Sequence, residues 1–470
     1  RRFNELGYKG PKAFFEVGEM KMIEHVINMF NPNLDSYHIV MNENQYEEAP
    51  WAKNYLEQVA KKIKITVVSN HELGPVYSAL QVKDIRDDEE VIVTYCDFIV
   101  QWDYKKFLNH IQSRGCDGAV VSFKGFHPAS FGDTYYAYMK VEEDNMLELR
   151  EKKSFTNDRS NENASAGIYY FKNFSLLMKY GKKWLSKKQQ ILPEVYVSLL
   201  FNDMLDDQHL VVIHEVDKFI CLGTPDDYEQ YLFWYSYFNE SQKAIQPRKH
   251  DVKRVGLIPM AGKGSRFRDY GYRVAKPLIQ VQGRPIVLRT VESMPEQDQW
   301  FFLPRQIDLD RHPIERTLRD FSLNCKVFGV REHTSGQAAT CMLVADQIED
   351  DVELIIASSD YENRYDPEAW QAILDNPDID GAIWTYRSKS MVLKNPEMFA
   401  YCIVADDGAT ISKVVEKQII SQNPSLDPLV IGTFWYRRAS DFKSGVQHLI
   451  DNDIKINGEH YVGTSINHLI

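Results

Sequence analysis

Short apolar runs alternate along this chain with stretches of helical spacing, and the alternation predicts its elements. The runs are rich in β-branched residues, which favours buried strands. They cover residues 37–41, 65–68, 91–94, 119–122, 255–258, 354–357 and 381–384. Residues 49–63 and 76–83 have the spacing of helices. Strands that alternate with helices in this way predict an α/β fold with mostly parallel, mixed sheets.

The same pattern occurs twice, at a nearly constant spacing. The N-terminal residues Arg2-Phe3, Gly7-Tyr8 and Lys12 reappear 264 residues later as Arg266-Phe267, Gly271-Tyr272 and Lys276. Further pairs, 263 to 265 residues apart, are Asp97 and Asp360, Glu151-Lys152 and Glu416-Lys417, Gly167 and Gly432, Glu194 and Glu459, and Asn202 and Asn467. So regular an offset predicts a tandem duplication of one domain.

The predicted domains are a first copy over residues 1–240, a polar linker over 241–252 and a second copy over 253–470. Each copy looks clipped on its outer side. The first begins where its glycine loop would be ending, and the second ends before any counterpart of residues 219–227. We therefore expect the first copy to lack its glycine loop and the second copy to lack its end.

A glycine loop follows the predicted strand at residues 255–258. Gly262 and Gly264 allow a tight turn that leaves several backbone N–H groups pointing at one spot, which suits an anion. Lys263, Arg266 and Lys276 add positive charge, so a triphosphate is the ligand that we expect. Neither the P-loop pattern nor the dinucleotide fingerprint fits this loop.

The full string Pro259-Met-Ala-Gly-Lys-Gly-Ser-Arg-Phe267, followed by Lys276-Pro-Leu-Ile, resembles the nucleoside-triphosphate transferase family, the sugar-1-phosphate nucleotidyltransferases. The residues of this string are most similar to those of family members from bacterial capsule and surface-polysaccharide synthesis. The resemblance implies two tandem Rossmann-like, GT-A-like nucleotidyltransferase domains. It assigns nucleotide binding to Gly262, Lys263, Gly264 and Ser265, and catalytic contacts with phosphate to Arg266, Lys276 and their counterparts Arg2 and Lys12.

Asp97 and Asp360 each follow a predicted strand, where open α/β sheets bind ligands. A carboxylate there could cap a helix, but its occurrence in both copies favours a metal ligand. The resemblance implies Mg²⁺ as the cofactor. It also implies a second acidic ligand where this chain has Cys221, and a thiol is a poor ligand for Mg²⁺. Asp226 and Asp227 are predicted to begin a helix instead.

The resemblance also assigns the acceptor and the nucleobase. The predicted acceptor-binding residues are Glu416, Lys417, Gly432 and Glu459, with Glu151, Lys152, Gly167 and Glu194 in the first copy. Gly336, Gln337 and Gly74 lie where the family contacts the base. The alternatives are an ordinary surface Glu-Lys pair and a surface helix glutamate.

Composition and net charge limit the classes of partner and the compartment that we expect for this chain. The net charge of −12 excludes a general nucleic-acid binder. No apolar run approaches the ~20 residues of a membrane helix, and we expect no signal peptide and a cytoplasmic location. The six scattered cysteines favour reduced thiols over disulfides or a zinc site. The sequence leaves oligomer formation open.

We therefore expect a Mg²⁺-dependent nucleotidyltransferase of the pyrophosphorylase type. Its partners would be an NTP and a sugar phosphate or a similar phosphorylated small molecule, and its products an NDP-activated metabolite and pyrophosphate. Three alternatives stay open. They are a cytidylyltransferase acting on a non-sugar phosphate, a nucleotide-sugar glycosyltransferase, and a non-catalytic regulatory role for one copy. The glycosyltransferase would need an Asp-x-Asp motif, which residues 360–362 imitate only loosely.

Overall fold

The computed structural model describes residues 2–5, 7–125, 136–187, 194–239, 252–269, 271–322, 324–387 and 395–470. The chain divides into two compact units, residues 1–241 and 242–470. The predicted linker, apart from Val252, lies outside the described residues. None of the helices in the described part is both long and apolar enough to cross a bilayer.

Twelve strands and nine helices are described in the first unit. The strands are β1 Glu16–Val17, β2 Met20–Lys21, β3 Tyr37–Asn42, β4 Ile63–Val68, β5 Val91–Thr94, β6 Phe98–Gln101, β7 Gly118–Phe123, β8 Ala137–Glu142, β9 Asn145–Glu151, β10 Asn163–Phe171, β11 Val211–Glu215 and β12 Lys218–Cys221. The helices are α1 Arg2–Glu5, α2 Met22–Asn28, α3 Glu43–Glu48, α4 Ala52–Val59, α5 Pro75–Leu80, α6 Tyr104–Arg114, α7 Phe174–Lys187, α8 Leu200–Asp206 and α9 Pro225–Asn239.

The second unit has ten strands and eight helices among its described residues. The strands are β13 Arg254–Met260, β14 Gln280–Val281, β15 Arg284–Pro285, β16 Gln299–Pro304, β17 Cys325–Val327, β18 Glu353–Ala357, β19 Gly381–Tyr386, β20 Ala400–Val404, β21 Ile411–Glu416 and β22 Leu429–Tyr436. The helices are α10 Ser265–Asp269, α11 Ile286–Glu292, α12 Gln306–Arg311, α13 Ile314–Phe321, α14 Gln337–Met342, α15 Pro367–Asp375, α16 Ala439–Asp451 and α17 Val462–Ile466.

The main sheet of the second unit has the order β17-β16-β13-β18-β22-β20-β21, with β19 also beside β22. Strands β17, β16, β13 and β18 run parallel to one another, and β22 runs antiparallel to β18. The carboxyl ends of the parallel strands therefore share one edge of the sheet. That edge is where ligands bind in open α/β sheets.

The main sheet of the first unit has the order β5-β10-β7-β11-β9-β8. Strand β10 runs antiparallel to both β5 and β7, whereas β11 runs parallel to β7. Strands β3 and β4 form a separate parallel pair. The sheets are mixed, as predicted, but among the described strands they are not mostly parallel. The apolar runs alone could not show this, because a strand buried on both faces has the same composition in either direction.

Each predicted strand is present and differs from its predicted bounds by at most a few residues. The helix predicted over residues 49–63 is wrong in its bounds, because helix α4 ends at Val59 and Ile63 already belongs to β4. Helix α3 was not predicted. It begins with a capping box in which Asn42 Oδ1 accepts from the Gln45 amide at 2.8 Å and the Gln45 side chain accepts from the Asn42 amide.

Strand β13 lies at the centre of the second unit's core. Val255 and Leu257 belong to one buried cluster, while Ile258 and Met260 belong to another. The strand is thus covered on both faces, which accounts for its continuous apolar sequence. Gly256 leaves room for a neighbouring indole, since a Cβ there would lie 2.3 Å from the ring of Trp300.

Residues at corresponding positions of the two units share backbone conformations. Lys152 has a φ of 56° and Lys417 a φ of 55°, and both are unusual for residues with a side chain. Gly167 and Gly432 have φ values of 86° and 80°. The sequence correspondence therefore extends to local structure at these four positions.

A paired asparagine contact also occurs in both units. In the first, Asn202 Oδ1 accepts from the Leu149 amide and its Nδ2 donates to the Leu149 carbonyl, at 2.9 and 2.8 Å. In the second, Asn467 makes the same two bonds to Val414, at 2.7 and 2.8 Å. Each asparagine thereby fastens a strand, β9 or β21, whose last residue is the glutamate of a Glu-Lys pair.

Candidate functional site

A cleft of about 500 Å³ opens at the carboxyl edge of the second unit's parallel strands. Eight residues that the sequence predicts for the site line it: Gly262, Lys263, Gly264, Lys276, Gly336, Gln337, Asp360 and Glu459. The structure thus brings together the predicted glycine loop, the predicted metal ligand, the predicted base contacts and one predicted acceptor residue. Ser265, Glu416, Lys417 and Gly432 are not among the lining residues.

An ion pair joins two of these residues. Lys276 Nζ donates to Asp360 Oδ2, and the two side chains are 29% and 30% exposed. The lysine amine also lies 5.6 Å from the centre of the Phe267 ring, which its charge favours. The predicted phosphate ligand and the predicted metal ligand are therefore direct partners.

The first unit has the corresponding pair. Lys12 Nζ donates to Asp97 Oδ2 at 2.6 Å and lies 5.8 Å from the centre of the Phe3 ring. Burial is the largest single influence on the pKa of Lys12 and lowers it, but the charge and hydrogen bond of Asp97, together with Cys96 and Cys221, outweigh burial, so the pKa is raised overall. Lys12 is therefore fully protonated at neutral pH.

The donor set around Asp360 decides which metal could bind. Among the described residues, no cluster of three or more His, Cys, Asp and Glu side chains could hold a metal ion. Mg²⁺ commonly takes one or two carboxylates and completes its shell with phosphate oxygens and water. Asp360 fits that pattern only together with the phosphates of a bound nucleotide.

Cys221 fits less well in the first unit. Its Sγ accepts from the Gly223 amide and donates to Asp227 Oδ2, each at 3.4 Å. Burial raises the pKa of Cys221 to about 12, so it is a neutral thiol at neutral pH, and a thiol is a poor ligand for Mg²⁺. Asp226 and Asp227 lie in the first turn of α9, as predicted, and Thr224 Oγ1 donates to Asp227 at 2.7 Å.

The two glycines predicted to contact the base also have a packing role. A Cβ on Gly336 would lie 2.6 Å from the His460 carbonyl oxygen and 3.1 Å from Glu459 Cβ. A Cβ on Gly74 would meet the Val195 amide nitrogen at 2.6 Å and Glu194 Cβ at 3.2 Å. Both glycines have positive φ, 87° for Gly74 and 116° for Gly336. Each lets its loop approach the segment that carries the predicted acceptor glutamate.

Gln337, which begins α14, points toward the end of β18. Its Nε2 donates to Ser358 Oγ at 3.5 Å. Ser358 also lies against Gly432, where a Cβ would come within 2.4 Å of Ser358 Oγ. In the first unit, Gly167 packs in the same way, since a Cβ on it would lie 3.0 Å from the Tyr95 ring. These predicted sugar-side glycines therefore pack on the residue two positions before the predicted metal ligand.

A tyrosine links two predicted acceptor residues in the first unit. Lys152 Nζ donates to Tyr196 Oη at 2.8 Å, and Tyr196 in turn donates to Glu194 Oε2 at 2.9 Å. In the second unit Tyr461 is hydrogen-bonded to Glu459, and Lys417 lies 5.6 Å from the centre of its ring. The sequence analysis missed both tyrosines, although the repeated Glu-x-Tyr-Val string contains them.

The glutamates of the two Glu-Lys pairs have different surroundings. Ser198 Oγ donates to Glu151 Oε2 at 2.5 Å. At the position corresponding to Ser198 the second unit has Gly463, and a Cβ there would lie 2.6 Å from Glu416 Oε1. No hydrogen bond to the Glu416 carboxylate is formed within the described part of the chain, and burial raises its pKa to about 7. Glu416 as a whole is 9% exposed and lies outside the cleft lining.

Two arginines that the sequence analysis did not single out also line the cleft. Arg305 follows β16 and donates to both carboxylate oxygens of Asp308, at 2.8 and 2.6 Å. Arg331 is exposed and follows Val330, which forms a parallel bridge with Arg305. The signal for Arg305 was its place directly after an apolar run. The run at residues 299–304 was not among the predicted strands.

Two predicted catalytic residues are only partly described. Arg2 lies in α1 and Arg266 in α10, the helix that Ser265 begins, and the side chains of both arginines lie outside the described part. Lys263 is exposed at the cleft.

All six cysteines are unpaired.

Comparisons with known proteins find a match to a domain-family model within the first unit. The model of the MobA-like NTP transferase domain matches residues 1–157. A search of curated proteins finds no match. Among solved structures, a nucleoside-diphosphate-sugar pyrophosphorylase from Vibrio cholerae RC9 is 19% identical, with a TM-score of 0.41, over 49% of this chain and 95% of that one. A protein from Bacillus anthracis, provisionally described as a glucose-1-phosphate thymidylyltransferase and solved with sucrose, is 13% identical, with a TM-score of 0.41, over 51% and 93%.

The family match covers the residues of the first unit that form its ion pair and its Glu-Lys pair. It includes Lys12, Gly74, Asp97 and residues 151–152. The resemblance in the sequence was carried mainly by the glycine loop of the second unit, so the match is separate support. Residues 1–157 match an NTP transferase domain, and this match supports a nucleotidyltransferase.

Proposed function

We propose that this protein is a nucleotidyltransferase that joins an NTP to a phosphorylated acceptor and releases pyrophosphate. One observation carries the proposal. A single cleft contains the glycine loop with Lys263, the Lys276–Asp360 pair, Gly336-Gln337 and Glu459. These are groups for a triphosphate, for a nucleoside and for a hydroxylated acceptor, placed on one sheet edge. The NTP transferase match over residues 1–157 supports the same class of reaction.

The chemical step needs positioning and charge neutralisation more than a side-chain nucleophile. An acceptor phosphate oxygen forms a bond to the α-phosphorus, and the bond from that phosphorus to the bridging oxygen of the β-phosphate breaks. Backbone N–H groups at Gly262 and Gly264, with Lys263 and Lys276, would stabilise the negative charge that collects on the leaving pyrophosphate. No proton has to be removed from an acceptor phosphate that is already ionised.

We propose Mg²⁺ as the cofactor, held by Asp360 together with nucleotide phosphates. When bound it would act as a Lewis acid toward the phosphate oxygens. Lys276 donates to the same carboxylate, so it would have to turn toward phosphate if the carboxylate took Mg²⁺ in its place. The lysine would then be placed beside the triphosphate that it is proposed to neutralise.

We propose a sugar phosphate as the acceptor, bound from the side of Glu459. Glu459 lines the cleft and is hydrogen-bonded to Tyr461, and Lys417 lies beside that tyrosine. A lysine can hold the acceptor phosphate while glutamates accept hydrogen bonds from sugar hydroxyls. A cytoplasmic role in capsule or surface-polysaccharide synthesis is part of the proposal and rests on the sequence resemblance.

We also propose that the two units arose by duplication and that each is a nucleotidyltransferase-type domain. Five local features recur at corresponding positions and support this idea. They are the Lys–Asp pair, the positive-φ lysine, the two positive-φ glycines and the asparagine that brackets a strand. Two unrelated domains would have no reason to share all of them.

The test is a pyrophosphate-release assay with each NTP against a panel of sugar phosphates and non-sugar phosphates such as phosphocholine. We expect at least one pair of NTP and acceptor, that of the second unit, to give turnover that D360N reduces by about a hundredfold or more. The matched control is D406N, since Asp406 is exposed in a turn. No turnover with any pair, or equal rates for D360N and D406N, would refute the proposal.

A further inference from the structure

The two units carry opposite charges at corresponding positions beside their parallel strands. Strands β3 and β16 are both six residues long, and the residue that follows is Glu43 in the first unit and Arg305 in the second. Asn42 pairs with Val68 in the first unit, so Ser69 lies beside Glu43 in sheet register as Val330 lies beside Arg305, and Asn70 and Arg331 are the residues that follow. One acidic side chain thus stands where the second unit has two guanidinium groups.

In the second unit the cationic wall is preorganised. Arg305 uses Nε and one Nη2 hydrogen for the fork of bonds to Asp308, which fixes the guanidinium plane and leaves its other hydrogens available. The bridge between Arg305 and Val330 brings Arg331 next to it along the cleft. Arg331 forms no ion pair within the described part of the chain.

In the first unit the same wall is polar and acidic. Ser69 Oγ donates to Glu43 Oε1 at 3.3 Å, and Asn70 Nδ2 donates to Asn44 Oδ1 at 2.9 Å. A carboxylate there accepts hydrogen bonds, whereas the arginines of the second unit only donate them. The two walls therefore favour ligands with opposite hydrogen-bonding groups.

We propose that Arg305 and Arg331 make the second unit select NTPs whose base carries an exocyclic keto oxygen, such as UTP or GTP. This inference rests on the proposed function, because it takes the triphosphate to lie on the glycine loop and the nucleoside to extend to the opposite wall of the cleft. Uracil presents an oxygen where cytosine presents an amino group, and guanine and adenine differ in the same way. Guanidinium donors bond the oxygen and are repelled by the amino hydrogens.

One acidic side chain of the same wall opposes this preference. Glu332 follows Arg331 and also lines the cleft. If Glu332 read the base, it would favour the amino forms, as Glu43 would in the first unit. The experiment therefore has to separate Arg331 from Glu332.

The test compares the affinities of the full chain for UTP and CTP, which differ mainly in that exocyclic group, and for GTP and ATP, using titration calorimetry without acceptor. R331Q should weaken the affinity for UTP and GTP about tenfold and leave the affinity for CTP and ATP within twofold of the unmutated chain. The affinities of R331K should fall between those of R331Q and the unmutated chain, because lysine keeps the positive charge but lacks the forked donors of arginine. R316Q is the matched control, since Arg316 is an 85% exposed arginine on helix α13.

Each other outcome has a defined meaning. Equal weakening of all four nucleotides by R331Q would overturn the inference, because the arginine would then bind phosphate. A loss of the keto preference in E332Q but not in R331Q would also overturn it. No binding of any NTP to the unmutated chain would refute the proposed function itself. Arg331 is exposed, so an unchanged melting temperature checks that the variant is folded.

Discussion

The lysine–aspartate pair of each unit joins a residue proposed to bind phosphate to a residue proposed to bind Mg²⁺. Lys276 and Asp360 are each about a third exposed, so neither side chain contributes much to the core. Their contact leaves the resting cleft nearly neutral at this point. A triphosphate bound there, as proposed, would regain the lysine charge when the pair opens.

Replacing the lysine should therefore affect binding and not folding. K276A should weaken NTP binding at the second unit by about tenfold or more, because it removes a cation and leaves Asp360 to repel phosphate. The melting temperature should stay within a degree or two. Titration calorimetry checks the first expectation and thermal unfolding checks the second. K413A, which removes an exposed lysine of β21, is the control. A large loss of stability with normal binding would show that the pair is structural.

Glu416 should make stability depend on pH. Its pKa is raised from 4.5 to about 7 by burial, so the folded chain holds a proton that the unfolded chain has already lost between those values. This contribution to stability is complete below pH 4.5 and disappears as pH rises through about 7, for a total on the order of 3 kcal/mol. Urea unfolding at pH 5 and pH 8 measures the loss.

The matched variant is E416Q, which is neutral at every pH and nearly the same shape. We expect E416Q and the unmutated chain to unfold at similar urea concentrations at pH 5, with E416Q more stable at pH 8. The gap should widen between pH 4.5 and about 7 and stay constant once Glu416 of the folded chain has ionised. Parallel curves for the two proteins across that range would contradict the raised pKa.

At the scale of elements, strand β21 depends on one side chain. It lies at the end of the sheet order and pairs with β20 on one side. Asn467 supplies an acceptor and a donor to Val414 on its other side. N467A should destabilise the second unit by about 1–3 kcal/mol, because it leaves a backbone N–H and a backbone C=O without these partners.

The corresponding variant of the first unit tests whether this role is shared. N202A should cost a similar amount, since Asn202 makes the same two bonds to Leu149. Denaturant unfolding of both variants gives the two free energies. If N467D were as stable as the unmutated chain, the bond from Nδ2 to the Val414 carbonyl would have no energetic weight.

The contact between the Gly432 loop and the end of β18 is a second element-scale feature. G432A should destabilise the second unit by about 2 kcal/mol or more, because a Cβ would lie 2.4 Å from Ser358 Oγ and the φ of 80° disfavours a side chain. S358G removes the clash and should recover part of the loss in the double variant. Thermal unfolding of the two single variants and the double variant measures the coupling. Strictly additive effects would contradict a direct contact.

Elements were predictable where burial alone decided them. The strands at residues 91–94 and 354–357 are apolar on both faces, and both are found within a residue of their predicted bounds. Strand direction was not predictable, because β10 and β22 are as apolar as parallel strands and only the chain connections determine their antiparallel pairing. Helix α3 was missed because it buries no side chain and therefore shows no apolar period.

At the scale of the whole molecule, the two units share the Lys–Asp pair and the Glu-Lys pair but differ in other segments around the predicted site. We expect two nucleotide sites with different acceptor preferences. Residues 453–458 before Glu459 have no similarity to the corresponding residues 187–193, which lie largely outside the described part. Assays of D97N and D360N on one acceptor panel should therefore give different substrate profiles. Identical profiles would favour duplication without specialisation, and silence of the first unit would indicate a regulatory or structural role for it.

The predicted site was partly accessible from the sequence for a physical reason. Glycines at positive φ and charged residues after strands leave strong sequence signals, so Gly336, Lys276 and Asp360 were predicted and are found in one cleft. Contacts between side chains far apart in the chain leave no such signal. The Lys276–Asp360 bond, the Tyr196 link and the effect that the change from Ser198 to Gly463 has on the neighbouring glutamate are seen only in the structure.

The left-handed lysines set a limit on engineering this chain. Lys152 and Lys417 each hold a φ near 55° that costs a residue with a side chain about 1 kcal/mol, whereas glycine adopts it freely. A redesign that optimised thermal stability alone would replace both lysines with glycine and would raise the free energy of unfolding by up to that amount at each position. It would remove the two amines proposed to hold the acceptor phosphate. Thermostable redesigns of this protein should keep both lysines and seek their gains elsewhere.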